Sequence, residues 1–555
     1  MCEFILTKYD VSGIQSYIFA TNRLQENVGA SHNVTRILRD FLNEALQEAF
    51  DEVKKEVIEE RPEAGSRDMG ETDNQKLILD WENEQSQPLA IRNNPYIAAE
   101  VIYIGGGNAV VVYRDRNLCR ITDMRFAWKV TENCQGISVL AAHMPTGLKD
   151  FKQDMAALNA RLSASKSKVP RTPVLSPYPI VEQDSTYGLP ITKLLEDGKI
   201  GVSGVQYEKR IAYKHQTDDN RTPSPYGKYI PGQFSFAFQV EDLVKKRGED
   251  SYIAVVHIDG NGMGNLIEKS ILQNIPYENA VQEMRKISSA VSSCYSEVFS
   301  QIMKGVYANS QQNKKDDGKT VLPVRPLIND GDDITFLCSA SLALPLAASF
   351  LRRLMSMSFE GFPLTACAGI AYVHSHFPFK IAYGIAEQCC GEAKKKWYEN
   401  CGNNNMSVMA GYLDYHLVRG AYIKGMEDQR KEKDIRKRPY LVGKGPEKER
   451  SDSIDSLFEI CRKMTEESCG TPKWPRNRLK RIYETYLTDP ADLEFLEKEF
   501  SSRGMEMSDL AGMTPDNFCA SEACGIFDAL EVLDFYEENT FKTFMGNCQG
   551  AESRA

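Results

Sequence analysis

Over residues 246–415, apolar runs of strand length alternate with stretches in which apolar residues recur at helical spacing. Short apolar runs of strand length lie at Tyr252–Ile258, Val324–Ile328, Ile334–Cys338 and Leu364–Val373. Apolar residues recur at helical spacing over 277–304, 345–355 and 381–397, with Pro345 near the first turn of its helix. The predicted order is strand, helix, hairpin, helix, strand, which is that of a ferredoxin-like α+β domain.

The same order of elements occurs near the N-terminus. Strands are predicted at Glu3–Tyr9, Ala98–Ile104, Ala109–Tyr113 and Ile137–Ala142, and helices around Val34–Ala45 and Thr122–Glu132. The chain therefore predicts two ferredoxin-like domains, 1–175 and 246–415, each an antiparallel sheet with helices packed on it. Residues 176–245 are a predicted connector, 416–555 a helical C-terminal domain, and 54–95 an exposed insertion.

The hairpin of the second copy carries an unusual concentration of carboxylates. Asp330-Gly331 is a strong turn signal, and Asp332 and Asp333 follow it directly. A polar hairpin tip explains Asp330 and Gly331, but it leaves two adjacent carboxylates repelling each other beside a buried strand. Asp259 ends another apolar strand. We expect Asp259, Asp332 and Asp333 to converge on Mg²⁺ or Mn²⁺, which prefer oxygen ligands and share them with substrate phosphates.

The hairpin of the first copy carries glycines in place of carboxylates. Its tip is Gly105-Gly106-Gly107-Asn108. A glycine-rich tip lets backbone N–H groups approach a phosphate or base closely, and it is equally typical of a simple tight turn. Both interpretations stay open.

Composition restricts the class of protein. The chain has 555 residues, a net charge of −10 and 42% hydrophobic residues, with no apolar stretch long enough for a membrane span. Its 14 cysteines are scattered without a CxxC pair, and the start has no signal-peptide pattern. We expect a cytoplasmic protein with reduced thiols, no zinc and no membrane association.

Three motifs resemble the large, polymerase-like subunit of type III CRISPR effector complexes. They are Asp259-Gly-Asn-Gly-Met-Gly, Asp330-Gly-Asp-Asp, which is similar to that family's GGDD hairpin, and Ala393-Lys394. Asp10–Phe19, DVSGIQSYIF, resembles the family's first palm, and GGDEF diguanylate cyclases are more distantly similar. The resemblance implies a tandem-palm nucleotidyltransferase that uses ATP and a divalent metal to make cyclic oligoadenylates, second messengers in antiviral defence.

The resemblance also implies roles for particular residues and partners. Asp259, Asp332 and Asp333 would be catalytic metal ligands and Lys394 a phosphate contact, with Gly260, Gly262 and Gly331 beside the nucleotide. Guide or target RNA and CRISPR effector subunits would be further partners. Because two nucleotides must be aligned, we expect the 105–108 hairpin to face the 329–333 hairpin across a cleft. The acceptor nucleotide would then be held by Ser12, Gly13, Gly105, Gly106 and Gly107.

The sequence departs from the family pattern at several points. Asp330 replaces the first glycine of GGDD, and Asn261 stands where many relatives have a second aspartate. Residues 181–190 keep a Gly-Leu-Pro but no cysteine, so no zinc knuckle is expected, and without a His-Asp dipeptide no HD nuclease domain is expected. Two alternatives stay open: a non-catalytic scaffold with a decayed palm, and a diguanylate-cyclase-like enzyme that uses GTP.

Overall fold

The computed structural model describes residues 4–60, 75–168, 180–195, 198–217, 225–244, 251–271, 275–310, 320–401, 409–419, 437–443, 452–468, 471–488, 492–507, 510 and 525–544. None of the helices in these ranges combines the length and apolar character needed to cross a bilayer.

The first palm is a five-stranded sheet with the order β2-β3-β4-β1-β5. Its strands are β1 (Phe4–Ser12), β2 (Lys76–Ile78), β3 (Ile97–Gly105), β4 (Asn108–Tyr113) and β5 (Ser138–Thr146). Its helices are α1 (Ile14–Ile18), α2 (Leu24–Arg36), α3 (Leu42–Glu60), α4 (Arg116–Asn133) and α5 (Phe151–Lys168), and a π-helical turn, Ile37–Phe41, joins α2 to α3. The order β3-β4-β1-β5 is antiparallel throughout and confirms the ferredoxin-like prediction.

The connector contributes short elements: β6 (Lys193–Leu195), β7 (Ile200–Val202), α6 (Gly204–Thr217) and β8 (Phe234–Phe236). Lys209 of α6 is buried against the first palm, where its ammonium donates to the Tyr17 carbonyl at 2.6 Å. Burial lowers the pKa of Lys209 to about 8, against the opposing effect of Glu26.

The second palm is a six-stranded sheet with the order β11-β12-β9-β15-β16-β17. Its strands are β9 (Tyr252–Gly260), β11 (Val324–Asp330), β12 (Asp333–Ser339), β15 (Ala366–His374), β16 (Ala410–Leu417) and β17 (Tyr440–Gly443). Outside this sheet lie β10 (Thr320–Leu322), which pairs with β8, and the hairpin of β13 (Ser358–Phe359) and β14 (Phe362–Pro363). Its helices are α7 (Met263–Ser270), α8 (Tyr277–Asn309), α9 (Ala340–Met355) and α10 (Phe379–Cys401).

The position of strand β9 between two layers of helices explains why its sequence is continuously apolar rather than alternating between apolar and polar residues. Ala254 and Val256 belong to the core cluster that includes α8 and α9, whereas Ile253 and Val255 belong to the cluster that includes α10. A strand covered by helices on both faces has no polar side.

The described residues of the C-terminal part are mainly helical. This part contains α11 (Ile454–Thr465), α12 (Arg476–Thr488), α13 (Asp492–Ser501) and α14 (Gly525–Val532). Two strands of two residues each, β18 (Glu467–Ser468) and β19 (Thr471–Pro472), pair antiparallel. Strand β17 comes from the same stretch of sequence but completes the second sheet. It was missed because four residues after a charged segment carry too little periodicity to identify a strand.

Two local predictions were wrong. Helix α9 begins at Ala340 rather than around Pro345, so this proline lies inside the helix. The stretch predicted as an exposed insertion is only partly exposed where it is described. Strand β2 joins the first sheet, and Trp81, Leu89 and Ile91 are buried in the core, while residues 61–74 lie outside the described ranges.

The two palms contact each other reciprocally. Strands β3 and β11 each contain a register shift, at Ile102 and at Leu327. Arg285 of α8, from the second palm, donates to the Ile102 carbonyl at 3.0 Å. Ser31 of α2, from the first palm, donates to the Leu327 carbonyl. Each hairpin is therefore held at its irregular point by a helix of the other domain.

A buried ion pair reinforces this interface. Arg285 also donates to the Glu100 carboxylate at 2.8 Å, and both side chains are at most 1% exposed. The Glu100 carboxylate in turn accepts from the backbone N–H groups of Ala90 and Ile91. Removal of one member would leave the other charge buried without its partner, so the pair fixes the relative position of the palms.

Candidate active site

Asp259 and Asp333 lie directly opposite each other on neighbouring antiparallel strands, at the ends of β9 and β12. Directly opposed residues project from the same face of a sheet, so the two carboxylates are neighbours. The Asp333 side chain is 28% exposed and that of Asp259 is 36% exposed. Burial, followed by repulsion from Asp259 and Asp332, raises the pKa of Asp333 well above its usual range.

His257 lies on the same face and does not neutralise Asp333. Its Nδ1 is 3.1 Å from the Thr335 hydroxyl and 3.4 Å from Asp333 Oδ1. Burial lowers the pKa of His257 to about 4, although Asp259 opposes this shift, so the imidazole is neutral at pH 7. The buried Asp333 Oδ1 has no hydrogen-bond partner. His257 is thus a buried, neutral histidine packed beside Asp333.

Asp332 points to a different side of the hairpin. A Cβ atom at Gly260 would lie 2.8 Å from Asp332 Oδ2 and 2.7 Å from the Tyr295 hydroxyl, so glycine is required there for Asp332 to pack. Burial, then the Asp259 charge, raises the pKa of Asp332. Gly260 accordingly makes room for the Asp332 carboxylate.

Lys394 of α10 forms an ion pair with Asp259. Its ammonium donates to Asp259 Oδ2 at 2.6 Å and to the Gly260 carbonyl at 2.8 Å. Burial alone would lower the pKa of Lys394, but Asp259 outweighs it and the pKa is raised. An ammonium has three donors, so one remains for a phosphate oxygen.

The fit of a divalent cation can be judged from these donors. Within the described ranges, Asp259, Asp332 and Asp333 do not bring one oxygen each within 4.8 Å of the others. Mg²⁺ commonly uses only one or two protein carboxylates together with substrate phosphates. Asp259 and Asp333 fit that role, because they are adjacent and Asp333 Oδ1 has no hydrogen-bond partner. Asp332 would have to turn to join them.

The first palm contains a matching half-site that the sequence analysis did not single out. Asp10 pairs across the sheet with Asn108, as Asp259 pairs with Asp333. Lys166 of α5 lies 2.8 Å from Asp10 Oδ2, as Lys394 of α10 lies beside Asp259. Aligning the two palms strand by strand would have revealed Asp10, because it lies near the end of β1 as Asp259 lies near the end of β9.

Ser12 and Gly13 lie next to this half-site. The Ser12 hydroxyl donates to Asp10 Oδ2 at 2.7 Å. Gly13 precedes α1 with φ +79°, and Gly262 precedes α7 with φ +65°, so both glycines make the same left-handed turn out of the first strand. The equivalent turns place Ser12 and Asn261 at corresponding positions.

The two hairpin tips touch each other. The Gly107 N–H donates to Asp330 Oδ2 at 3.0 Å, and a Cβ atom at Gly331 would lie 3.6 Å from the Gly106 nitrogen. The predicted opposition of the hairpins is therefore present, as direct contact rather than across an open cleft. The Gly107 N–H is bound to a carboxylate of the protein, whereas a side chain at Gly106 would meet nothing within 4 Å.

The departures from the family pattern have structural roles. Asp330 joins the tips, as described above. Asn261 is buried, and its amide donates to the Thr365 hydroxyl at 3.3 Å.

Gly105 packs against Ser288 of α8, since a Cβ atom there would lie 3.2 Å from the Ser288 hydroxyl.

This fold and site define a tandem-palm protein with a carboxylate hairpin on its second palm. Residues 252–402 match the family described as Cas10/Cmr2, second palm domain. A comparison with the sequences of curated proteins found no match.

Solved structures share the fold across nearly the whole chain. A Csm1–Csm4 cassette in complex with one ATP is similar with a TM-score of 0.53 and 12% identity, over 96% of this chain and 70% of that one. The cassette in complex with cA4 gives 0.52 and 12%, over 96% and 69%. Csm1 from T. onnurineus gives 0.51 and 12%, over 97% and 70%. The predicted resemblance is confirmed: the chain has a Cas10-like second palm and the fold of Csm1.

Proposed function

We propose that this protein is a metal-dependent nucleotidyltransferase that joins ATP into a cyclic nucleotide or cyclic oligoadenylate in antiviral defence. One observation carries the proposal: the Asp259–Asp333 pair and the Asp10–Asn108 pair lie at corresponding ends of two palms whose hairpin tips touch. Two equivalent half-sites at one contact suit a reaction that joins two like substrates. The ATP and cA4 complexes of the similar cassettes support ATP as the substrate.

The residues divide the work between the palms. On the second palm, Asp259 and Asp333 would hold Mg²⁺ or Mn²⁺, and Lys394 would give its third donor to a phosphate. On the first palm, Lys166 and the Ser12 hydroxyl would position the acceptor nucleotide. When bound, the divalent ion would lower the pKa of the attacking hydroxyl and neutralise the leaving pyrophosphate. Alignment of the two nucleotides is the larger contribution of the protein itself.

The proposal is tested by incubating the purified full-length protein with labelled ATP or GTP and Mn²⁺, and separating the products. We expect ATP to be consumed and pyrophosphate released, with products resistant to phosphatase because they are cyclic. Conversion of GTP in preference to ATP would favour a diguanylate-cyclase-like enzyme. No product from either nucleotide, with or without partner subunits and RNA, would contradict the proposal.

A scaffold is the second candidate, and one observation favours it. The three hairpin and strand carboxylates do not converge in the described ranges, and Asp332 is packed against Gly260. A protein of this kind would bind RNA and CRISPR effector subunits, of which the Csm4 bound to Csm1 in the similar cassettes is an example. The nucleotide assay separates the two candidates.

Asp330 offers a sharper test of the contact between the palms. Asp330→Gly restores the family motif, and the sequence alone predicts equal or higher activity if Asp330 has no role at the site. Because Asp330 accepts from Gly107, we expect a loss of about tenfold or more, the equivalent of one hydrogen bond to a charged group. The loss should be measured as initial rates at low ATP, with Mn²⁺ affinity unchanged.

Asp330→Asn is the matched control for this variant. It keeps an oxygen that accepts from Gly107 and removes the charge, so it should retain most of the activity. If Asp330→Asn is as inactive as Asp330→Gly and needs more Mn²⁺, then Asp330 is a metal ligand and its role between the palms is wrong.

A further inference from the structure

A second cluster of metal-ligand side chains lies in the first palm, away from the hairpins. Cys119 and Asp123 are one turn apart on α4, and His143 lies on the edge strand β5. One donor atom from each of the three lies within 4.8 Å of the other two, and no other set of three does so in the described part of the chain. From this geometry we infer a zinc site formed by Cys119, Asp123 and His143.

The distances within the cluster suit a tetrahedral ion. The two assigned donors His143 Nε2 and Asp123 Oδ2 lie 3.4 Å apart, and Cys119 Sγ lies beside the same imidazole ring, 3.7 Å from its other nitrogen, Nδ1. Ligands of tetrahedral zinc bind at about 2.0–2.3 Å and so lie about 3.3–3.8 Å from one another. A thiolate, a carboxylate and a neutral imidazole together balance the ion's charge, and a water molecule would complete the four ligands. A thiol and an imidazole select zinc over Mg²⁺.

Neighbouring groups orient two of the three ligands, as in established zinc sites. The Tyr9 hydroxyl donates to Asp123 Oδ1 at 2.8 Å, which leaves Oδ2 directed at His143, and Tyr113 lies 2.7 Å from the Tyr9 hydroxyl. Thr7 Oγ1 lies 3.1 Å from His143 Nδ1 and thus leaves Nε2 as the metal-binding nitrogen. His143 is 40% exposed and Cys119 is buried, so an ion can enter from solvent to reach the thiol.

The site is separate from the proposed catalytic half-site. Thr7 and Tyr9 alternate along β1 with Lys8 and Asp10, and successive residues of a strand project from opposite faces. The cluster therefore lies on the face covered by α4, and Asp10 with Lys166 lies on the face covered by α5. Zinc here would join α4 to the edge strand and stabilise the first palm. The proposal departs from our expectation of no zinc, which rested on the missing CxxC pairs.

Zinc uptake tests the site directly. The full-length protein is reduced, treated with chelator and carries Asp332→Asn and Asp333→Asn, so that the hairpin carboxylates are absent. It should bind one equivalent of Zn²⁺ more than the same protein that also carries Cys119→Ser. Co²⁺ should give a thiolate charge-transfer band that Cys119→Ser removes. Cys134→Ser, a buried thiol that follows the same helix, is the control and should keep both signals.

Two further variants keep the test decisive if Cys119→Ser destabilises the palm. Asp123→Asn preserves size and should weaken Zn²⁺ binding at least about tenfold, and His143→Ala changes a partly exposed side chain. Zinc should also raise the melting temperature of the parent protein and of Cys134→Ser, because it binds only the folded state. Equal zinc uptake and equal Co²⁺ spectra in all variants would overturn the proposal, as would absence of uptake by the parent.

Discussion

Replacing both hairpin carboxylates, by Asp332→Asn together with Asp333→Asn, will lower product formation by more than about 100-fold. The variant loses the divalent ion and, with it, the neutralisation of negative charge on the reacting phosphates. The side chains keep their size, so the fold should survive. The rate of pyrophosphate release from ATP with saturating Mn²⁺ measures the effect. Undiminished synthesis by this variant would rule out the proposed catalytic hairpin.

The same variant should be more stable than the parent in metal-free buffer. Burial, followed by repulsion from Asp259, raises the pKa of both aspartates, so their charged forms destabilise the folded state at pH 7, and asparagine removes that cost. We expect a higher melting temperature without metal and no further rise on adding Mn²⁺. Asp330→Asn removes one charge from the same hairpin and should keep the Mn²⁺-dependent rise. A lower melting temperature in the double variant would show that the carboxylates stabilise the hairpin.

Filling the tip of the first hairpin, by Gly106→Val, will reduce synthesis by about 100-fold, the cost of displacing an aligned reactant by about 1 Å. A Cβ atom at Gly106 would meet no other atom within 4 Å, and Gly106 belongs to the tip that touches Gly331, where the acceptor nucleotide is proposed to lie. Mn²⁺ affinity should not change, since the donors for the ion are on the other palm. Calorimetric titration with Mn²⁺ and initial rates with ATP measure the two quantities separately.

Gly361→Val is the matched control for Gly106→Val. Gly361 also has a positive φ, +82° against +58°, and also has open space around it, but it lies in the β13–β14 hairpin away from the contact between the palms. Both variants pay a similar cost for a β-branched residue in the left-handed region, about 1–3 kcal/mol. Equal activity losses in the two variants, or full activity of residues 246–415 alone, would contradict the two-palm arrangement.

The sequence by itself determined the central elements of the two palms and their order. Apolar runs and helical spacing placed β9, β11, β12, β15, α8 and α10 within a few residues of their observed bounds, because a strand between two helical layers must be apolar throughout. The duplication was visible for the same reason. Asp259 and Asp333 were identifiable because charged residues at the ends of such strands, whether the first or the last, stand out against their apolar surroundings.

Only the tertiary structure decided how these parts meet. Asp332 follows the tight turn at Gly331, so its direction depends on Gly260 and Tyr295 from other elements. Lys166 is separated from Asp10 by 156 positions, and no local pattern relates them. The contact of Asp330 with Gly107 depends on the docking of one palm on the other, which Arg285 and Ser31 fix through carbonyl groups of the backbone. Backbone acceptors are the same at every residue, so the sequence of side chains alone does not reveal which of them another domain will use.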